Sequence, residues 1–109
     1  MVTNAGKLDR AFGALADETR RSILRRLAGG DATVGELARP FRVSRPAISK
    51  HLRVLERAAL VKRSRQGRMS RCTLNASALR EAAEWVEWYR VFWAGQLDAL
   101  ARHVEAKHP

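Results

Sequence analysis

The chain has 109 residues, 46% of them hydrophobic, and one cysteine, Cys72. That suffices for one domain with a real core, and it excludes an internal disulfide or a zinc-type cysteine cluster. No apolar run approaches the ~20 residues of a membrane span and no signal-peptide core opens the chain, so a soluble, cytoplasmic protein is expected.

The net charge of +10 is carried by one segment: from Arg39 to Arg71 stand eleven Lys or Arg and one acid, Glu56, and the remainder holds ten of each sign. A block of that kind is the electrostatic footprint of a polyanion site.

In chain order, residues 1–6 read as a flexible N-terminus. A short helix follows over 7–15, with Leu8, Phe12 and Leu15 on one side. Asp17 caps a second helix over 18–28, whose Ile23, Leu24 and Leu27 face inward and which Gly29-Gly30 stops. Thr33-Val34-Gly35-Glu36 is a capping box that opens a third helix through Arg39. A tight turn at Phe41-Arg42-Val43 leads to Ser44, an N-cap, and then Pro46 in the first turn of a fourth helix over 45–57. Ile48, Leu52 and Leu55 recur at helical spacing, so this helix has an apolar inner face. At ~100° per residue, Pro46, Lys50, Arg53 and Arg57 turn to the opposite side, with Arg45 and Ser49 flanking it. Residues 33–57 thus have the layout of a helix-turn-helix.

Residues 60–65 and 69–74 read as strands joined by a turn at Gln66-Gly67, with positive φ at Gly67. Arg63, Arg65, Arg68 and Arg71 decorate this hairpin, which suits a wing over 60–74 that touches phosphates or a minor groove. A last helix over 76–105 would run ~45 Å and overhang a body with a radius of gyration near ~13 Å. Ala82, Val86, Tyr89, Trp93, Leu97, Leu100 and Val104 form one stripe along it, and Trp85, Trp88 and Phe92 another. One stripe should close the core and the other meet a second copy about a two-fold axis. Two reading helices would then stand ~34 Å apart, one DNA turn. Residues 106–109 read as a flexible tail.

The segments Leu15-Ala16-Asp17-Glu18-Thr19-Arg20-Arg21-Ser22-Ile23-Leu24, Val34-Gly35-Glu36-Leu37-Ala38, Ser44-Arg45-Pro46-Ala47-Ile48-Ser49-Lys50-His51-Leu52-Arg53-Val54-Leu55, Ala58-Ala59-Leu60-Val61 and Gln66-Gly67-Arg68 resemble the ArsR family of bacterial winged-helix repressors. The resemblance spans roughly residues 8–104. It implies a homodimer that binds an inverted-repeat operator, and its readout positions fall on Arg45, Pro46, Ser49 and Lys50. Arg45 suits a guanine edge and Ser49 a base or phosphate; Lys50 and Arg53 suit phosphates, and Pro46 can only pack, for instance on a thymine methyl. The family usually has Gly where Ala59 stands, and aromatic residues near Arg71 and Cys72. Its arsenic and cadmium sensors carry Cys-x-Cys where this chain has Val34-Gly35-Glu36-Leu37. The spacing of Asp98, His103, Glu105 and His108 does not match the zinc sensors. No metal or other cofactor is therefore expected. Cys72 reads as a small packed residue, with a redox role as the alternative. His51 reads as half-buried and locally satisfied, with a phosphate contact as the alternative.

The expected fold is mainly α with a small β-hairpin: a winged helix-turn-helix of about five helices and a two-stranded wing. The expected DNA-binding residues are Ser44, Arg45, Pro46, Ser49, Lys50, Arg53, Arg65 and Arg68. The expected dimer interface is Trp85, Trp88, Tyr89, Phe92, Trp93, Leu97 and Leu100. The partners are double-stranded DNA and a second copy, with no membrane; a small-molecule inducer is possible but has no support in the residues. No paired nucleophile and base or phosphate-binding glycine loop points to an enzyme. The alternative function is a general nucleic-acid binder, architectural or RNA-associated, without operator specificity.

Overall fold

The computed structural model describes residues 4–107. Helix α1 (Asn4–Leu15) begins three residues before the expected start, so Asn4, Ala5 and Gly6 are helical; the rest of the expected flexible N-terminus lies outside the described residues. It buries the small face Ala11 and Ala14, which lets it approach the body closely, while Leu8, Phe12 and Leu15 sit half-buried at the margin. Helix α2 (Glu18–Ala28) opens at Asp17, whose carboxylate accepts the Arg20 N–H at 3.0 Å. Arg20 turns back and donates from Nε to the Ala14 carbonyl at 2.7 Å and from Nη2 to the Gly13 carbonyl at 3.2 Å. One side chain thereby caps the carbonyls at the end of α1, where Gly13 also accepts the Ala16 N–H, and fixes α1 to α2.

Ala32–Thr33 forms a short strand, β1, ahead of helix α3 (Val34–Ala38). The capping box is complete: Thr33 Oγ1 accepts the Glu36 N–H, and the Glu36 carboxylate accepts from the Thr33 backbone and hydroxyl. A 3-10 turn over Arg39–Phe41 ends at Arg42, whose φ of 53° reverses the chain. Helix α4 (Arg45–Arg57) then starts at Ser44, whose Oγ accepts the Ala47 N–H at 3.3 Å. Ile48, Leu52 and Leu55 are wholly buried. Each such side chain contributes about 1.5–3 kcal/mol when removed from water, so α4 is held to the body along its whole inner face.

Strands β2 (Val61–Gln66) and β3 (Met69–Leu74) form the hairpin. Gln66 pairs with Met69, so the turn residues are Gly67-Arg68, one position later than Gln66-Gly67. Gly67 has a φ of 63° as expected, a conformation glycine adopts without steric cost. The sheet is three-stranded and antiparallel, ordered β1-β3-β2, so the two-stranded wing gains a third short strand. Cys72 lies opposite Ala32 on one side and Arg63 on the other, and both Cys72 and Ala32 are fully buried. The core thus runs from α2 through α3 and α4 to the base of the sheet.

Helix α5 (Ala76–Lys107) extends through two residues of the expected tail, and residues 108–109 lie outside the described residues. The neck before it is tied down: Asn75 N donates to the Leu60 carbonyl at 2.8 Å, and Asn75 Nδ2 to the Ala59 carbonyl at 2.7 Å. Only the first turns of α5 join the body, with Ala82 buried and Ala78 and Leu79 packed beside the core. The expectation that one full stripe of α5 closes the core is therefore overturned. The helix outruns the body: the radius of gyration is 19.1 Å and the long axis 72 Å, against about 13 Å for a compact domain of this length.

Candidate nucleic-acid interface

With Ile48, Leu52 and Leu55 turned inward, α4 offers Arg45, Pro46, Lys50, Arg53 and Arg57 to solvent, and Ser49 lies half-buried at their edge. No acid on α4 faces them, because the one available, Glu56, forms an ion pair with Arg63 of β2. That pair fastens the hairpin to α4, and it takes Arg63 out of the free cations of the wing. Arg71 is half-buried in β3 near Glu36. Arg65 and Arg68 remain exposed on the hairpin, and Arg65 Nε donates to the Gly67 carbonyl at 3.4 Å. Among the described residues, Arg45, Lys50, Arg53, Arg57, Arg65 and Arg68 form no ion pair.

An open cleft of about 270 Å³ separates α4 from the wing, and Arg45, Ser49, Arg68 and Ser70 line it together with the first turn of α3. The expected DNA-binding residues therefore fall into one group: Arg45, Ser49 and Arg68 around the cleft, Pro46, Lys50 and Arg53 along the outer face of α4, and Arg65 farther along the hairpin. Ser44 is exposed but its Oγ already accepts the capping N–H, leaving it a hydroxyl proton to donate. A rigid helix with free guanidinium and ammonium groups and a basic ribbon beside it is suited to a major groove and its flanking phosphates.

Two contacts around this face are long-range and lie beyond the reach of spacing alone. His51 turns back to the start of α2, its Nδ1 3.8 Å from the Asp17 carboxylate and 3.4 Å from Arg20 Nη1. It is thus half-buried, as expected, but its polar partners lie at the start of α2 rather than beside it in the chain. The Asp17 carboxyl is held below its ordinary pKa, chiefly by the Arg20 backbone N–H and secondarily by the charges of His51 and Arg20. Hydrogen bonds from Thr33 likewise hold Glu36 low, and Arg26 stands 3.7 Å from it.

The bonding of Glu36 bears on metal binding. Where the family's arsenic and cadmium sensors carry thiolates, Val34-Gly35-Glu36-Leu37 offers one ligand type, Glu36, and it is already bonded to Thr33. The residues present do not fit a soft metal ion. Among the described residues no cluster of three His, Cys, Asp or Glu is placed to hold a metal. Cys72 is the free thiol of β3, and burial pushes its pKa up, which keeps it a poorly reactive packed residue.

The second surface is α5. Among the described residues, every exposed large hydrophobic except Val43 and Met69 lies on it between Trp85 and Val104. Trp85 meets Phe12 of α1 edge-on at 5.6 Å and stacks on Tyr89 at 5.2 Å; Trp88 stacks on Phe92 at 5.9 Å. The two stripes expected to serve different neighbours merge into one broad apolar face.

No described helix is long and apolar enough to cross a membrane. The helix-turn-helix domain family matches residues 15–64. The transcriptional repressor SdpR of Bacillus subtilis is 38% identical over 79 residues, which is 72% of this chain and 88% of the relative. The regulator Rv2034 of Mycobacterium tuberculosis is 64% identical over 53 residues, 49% of this chain and 50% of the relative. Among solved structures, an ArsR family transcriptional regulator superimposes with a TM-score of 0.78 at 35% identity, covering 86% of this chain and 97% of that one. An ArsR-like regulator from Rhodococcus sp. RHA1 gives 0.73 at 35% identity, covering 90% and 92%. The chain belongs to the ArsR family of winged helix-turn-helix transcriptional regulators.

Proposed function

We propose that the chain is a sequence-specific, non-enzymatic DNA-binding regulator of the cytoplasm, acting as a homodimeric repressor on an inverted-repeat operator. The helix α4 reads base edges, the hairpin β2–β3 grips phosphates, and α5 pairs with α5 of a second copy. The observation that carries this reading is the face of free cations around the cleft between α4 and the wing. The names of its relatives agree with it, SdpR being a repressor.

The test is a contrast between two sets of variants. Arg45→Ala or Ser49→Ala should relax preference at particular base pairs, by about 1–3 kcal/mol for each good bidentate pairing removed. Arg65→Ala or Arg68→Ala should weaken all duplexes alike and flatten the salt dependence by about one phosphate each. An Arg45→Ala protein with every base preference intact would contradict α4 as the reading helix.

A further inference from the structure

Gly35 is the second residue of α3, and nothing in its backbone asks for glycine. Its φ is not positive, unlike those of Gly30 and Gly67, and within a helix glycine is a poorer former than every residue but proline. What does depend on it is space. A Cβ at this position would stand 2.8 Å from Arg45 Nη2, 3.4 Å from its Cζ and 3.6 Å from its Nε. At Gly13, Gly67 and Gly95 a Cβ would meet nothing within 4 Å. The planar guanidinium of Arg45 thus lies against the α3 backbone at the one point where a side chain is missing, on the wall of the cleft that also holds Ser49 and Arg68.

We propose that Gly35 is a positioning residue for base readout: its bare Cα lets Arg45 lie back over the first turn of α3, and that pose sets where the guanidinium enters the groove. A methyl group there, 2.8 Å from Nη2, forces the guanidinium off the α3 surface. The fork geometry of arginine makes its base pairing sensitive to such a shift. The proposal rests on Arg45 reading DNA, the function proposed for it above.

The experiment is a double-mutant cycle on base preference. Binding of the wild type, Gly35→Ala, Arg45→Ala and the double variant is measured on duplexes selected from a random pool and on single-base-pair changes at every half-site position. Arg45→Ala should lose about fivefold or more in discrimination at its base pair. Gly35→Ala should lose about two- to tenfold at the same base pair, the cost of reaching it with strained Arg45 χ angles. The double variant should match Arg45→Ala. Because Ala is the better helix former, Gly35→Ala should melt at or above the wild-type temperature, so the loss is not one of folding. A Gly35→Ala profile equal to the wild type's overturns the proposal, as does a loss spread evenly over all positions or one that persists in full without the Arg45 side chain. An Arg45→Ala profile equal to the wild type's would instead refute Arg45 as a reading residue and take this proposal with it.

Discussion

Ala59 adopts a φ of 60°, just past the end of α4. The left-handed region brings Cβ against the following carbonyl, and only glycine visits it without cost. Two hydrogen bonds hold the turn: the Ala59 N–H donates to the Glu56 carbonyl at 2.9 Å, and its own carbonyl accepts from Asn75 Nδ2 at 2.7 Å. Ala59→Gly should therefore stabilise the fold by about 1 kcal/mol, measured as a shift of the urea midpoint with unchanged slope. A destabilised variant would mean that the entropy glycine adds to the unfolded chain outweighs the strain relieved at this exposed position. At this scale the caps were legible from residue type alone: Asp17, Thr33 and Ser44 each accept the N–H that their spacing assigns. The Glu56–Arg63 and Asp17–His51 pairs were not, since each joins two elements whose relative placement only the packed core determines.

Among the elements, α4 was readable because its apolar period and its cap agree, and agreement between levels is what specifies a helix. Strand β1 was not: two residues have no alternation, and only pairing with β3 reveals them. The long helix was legible in extent but not in use. Two stripes suggested two neighbours, yet the single chain buries only Ala82 on it. Tyr89 and Trp93 continue the face that Ala82 buries, Trp85, Trp88 and Phe92 widen it, and all five stand exposed on the single chain. Contiguous apolar surface of this kind marks an interface. Sedimentation at micromolar concentration should show a dimer, and Phe92→Asp, which sets a charge in the middle of the stack with Trp88, should give a folded monomer. A monomeric wild type would leave α5 without its proposed partner.

For the molecule as a whole, a body that carries the cation face of α4 and the wing, and a helix α5 that outruns that body with its apolar residues exposed, describe a two-part design. A two-fold axis along α5 would double the cation face and set its two copies apart, which is the geometry of an inverted repeat. Net charge alone would permit any polyanion. The discriminating feature is that Arg45, Lys50, Arg53 and Arg57 stem from a helix locked to the core, so the spacing of their backbone positions is fixed. The most direct measurement is selection of bound duplexes from a random pool at about 150 mM salt, where screening suppresses loose electrostatic binding. Enrichment of a two-fold symmetric motif with half-sites about one turn, ~34 Å, apart is the predicted result. Tight binding at low salt with no enriched motif would contradict operator recognition and leave a general nucleic-acid binder.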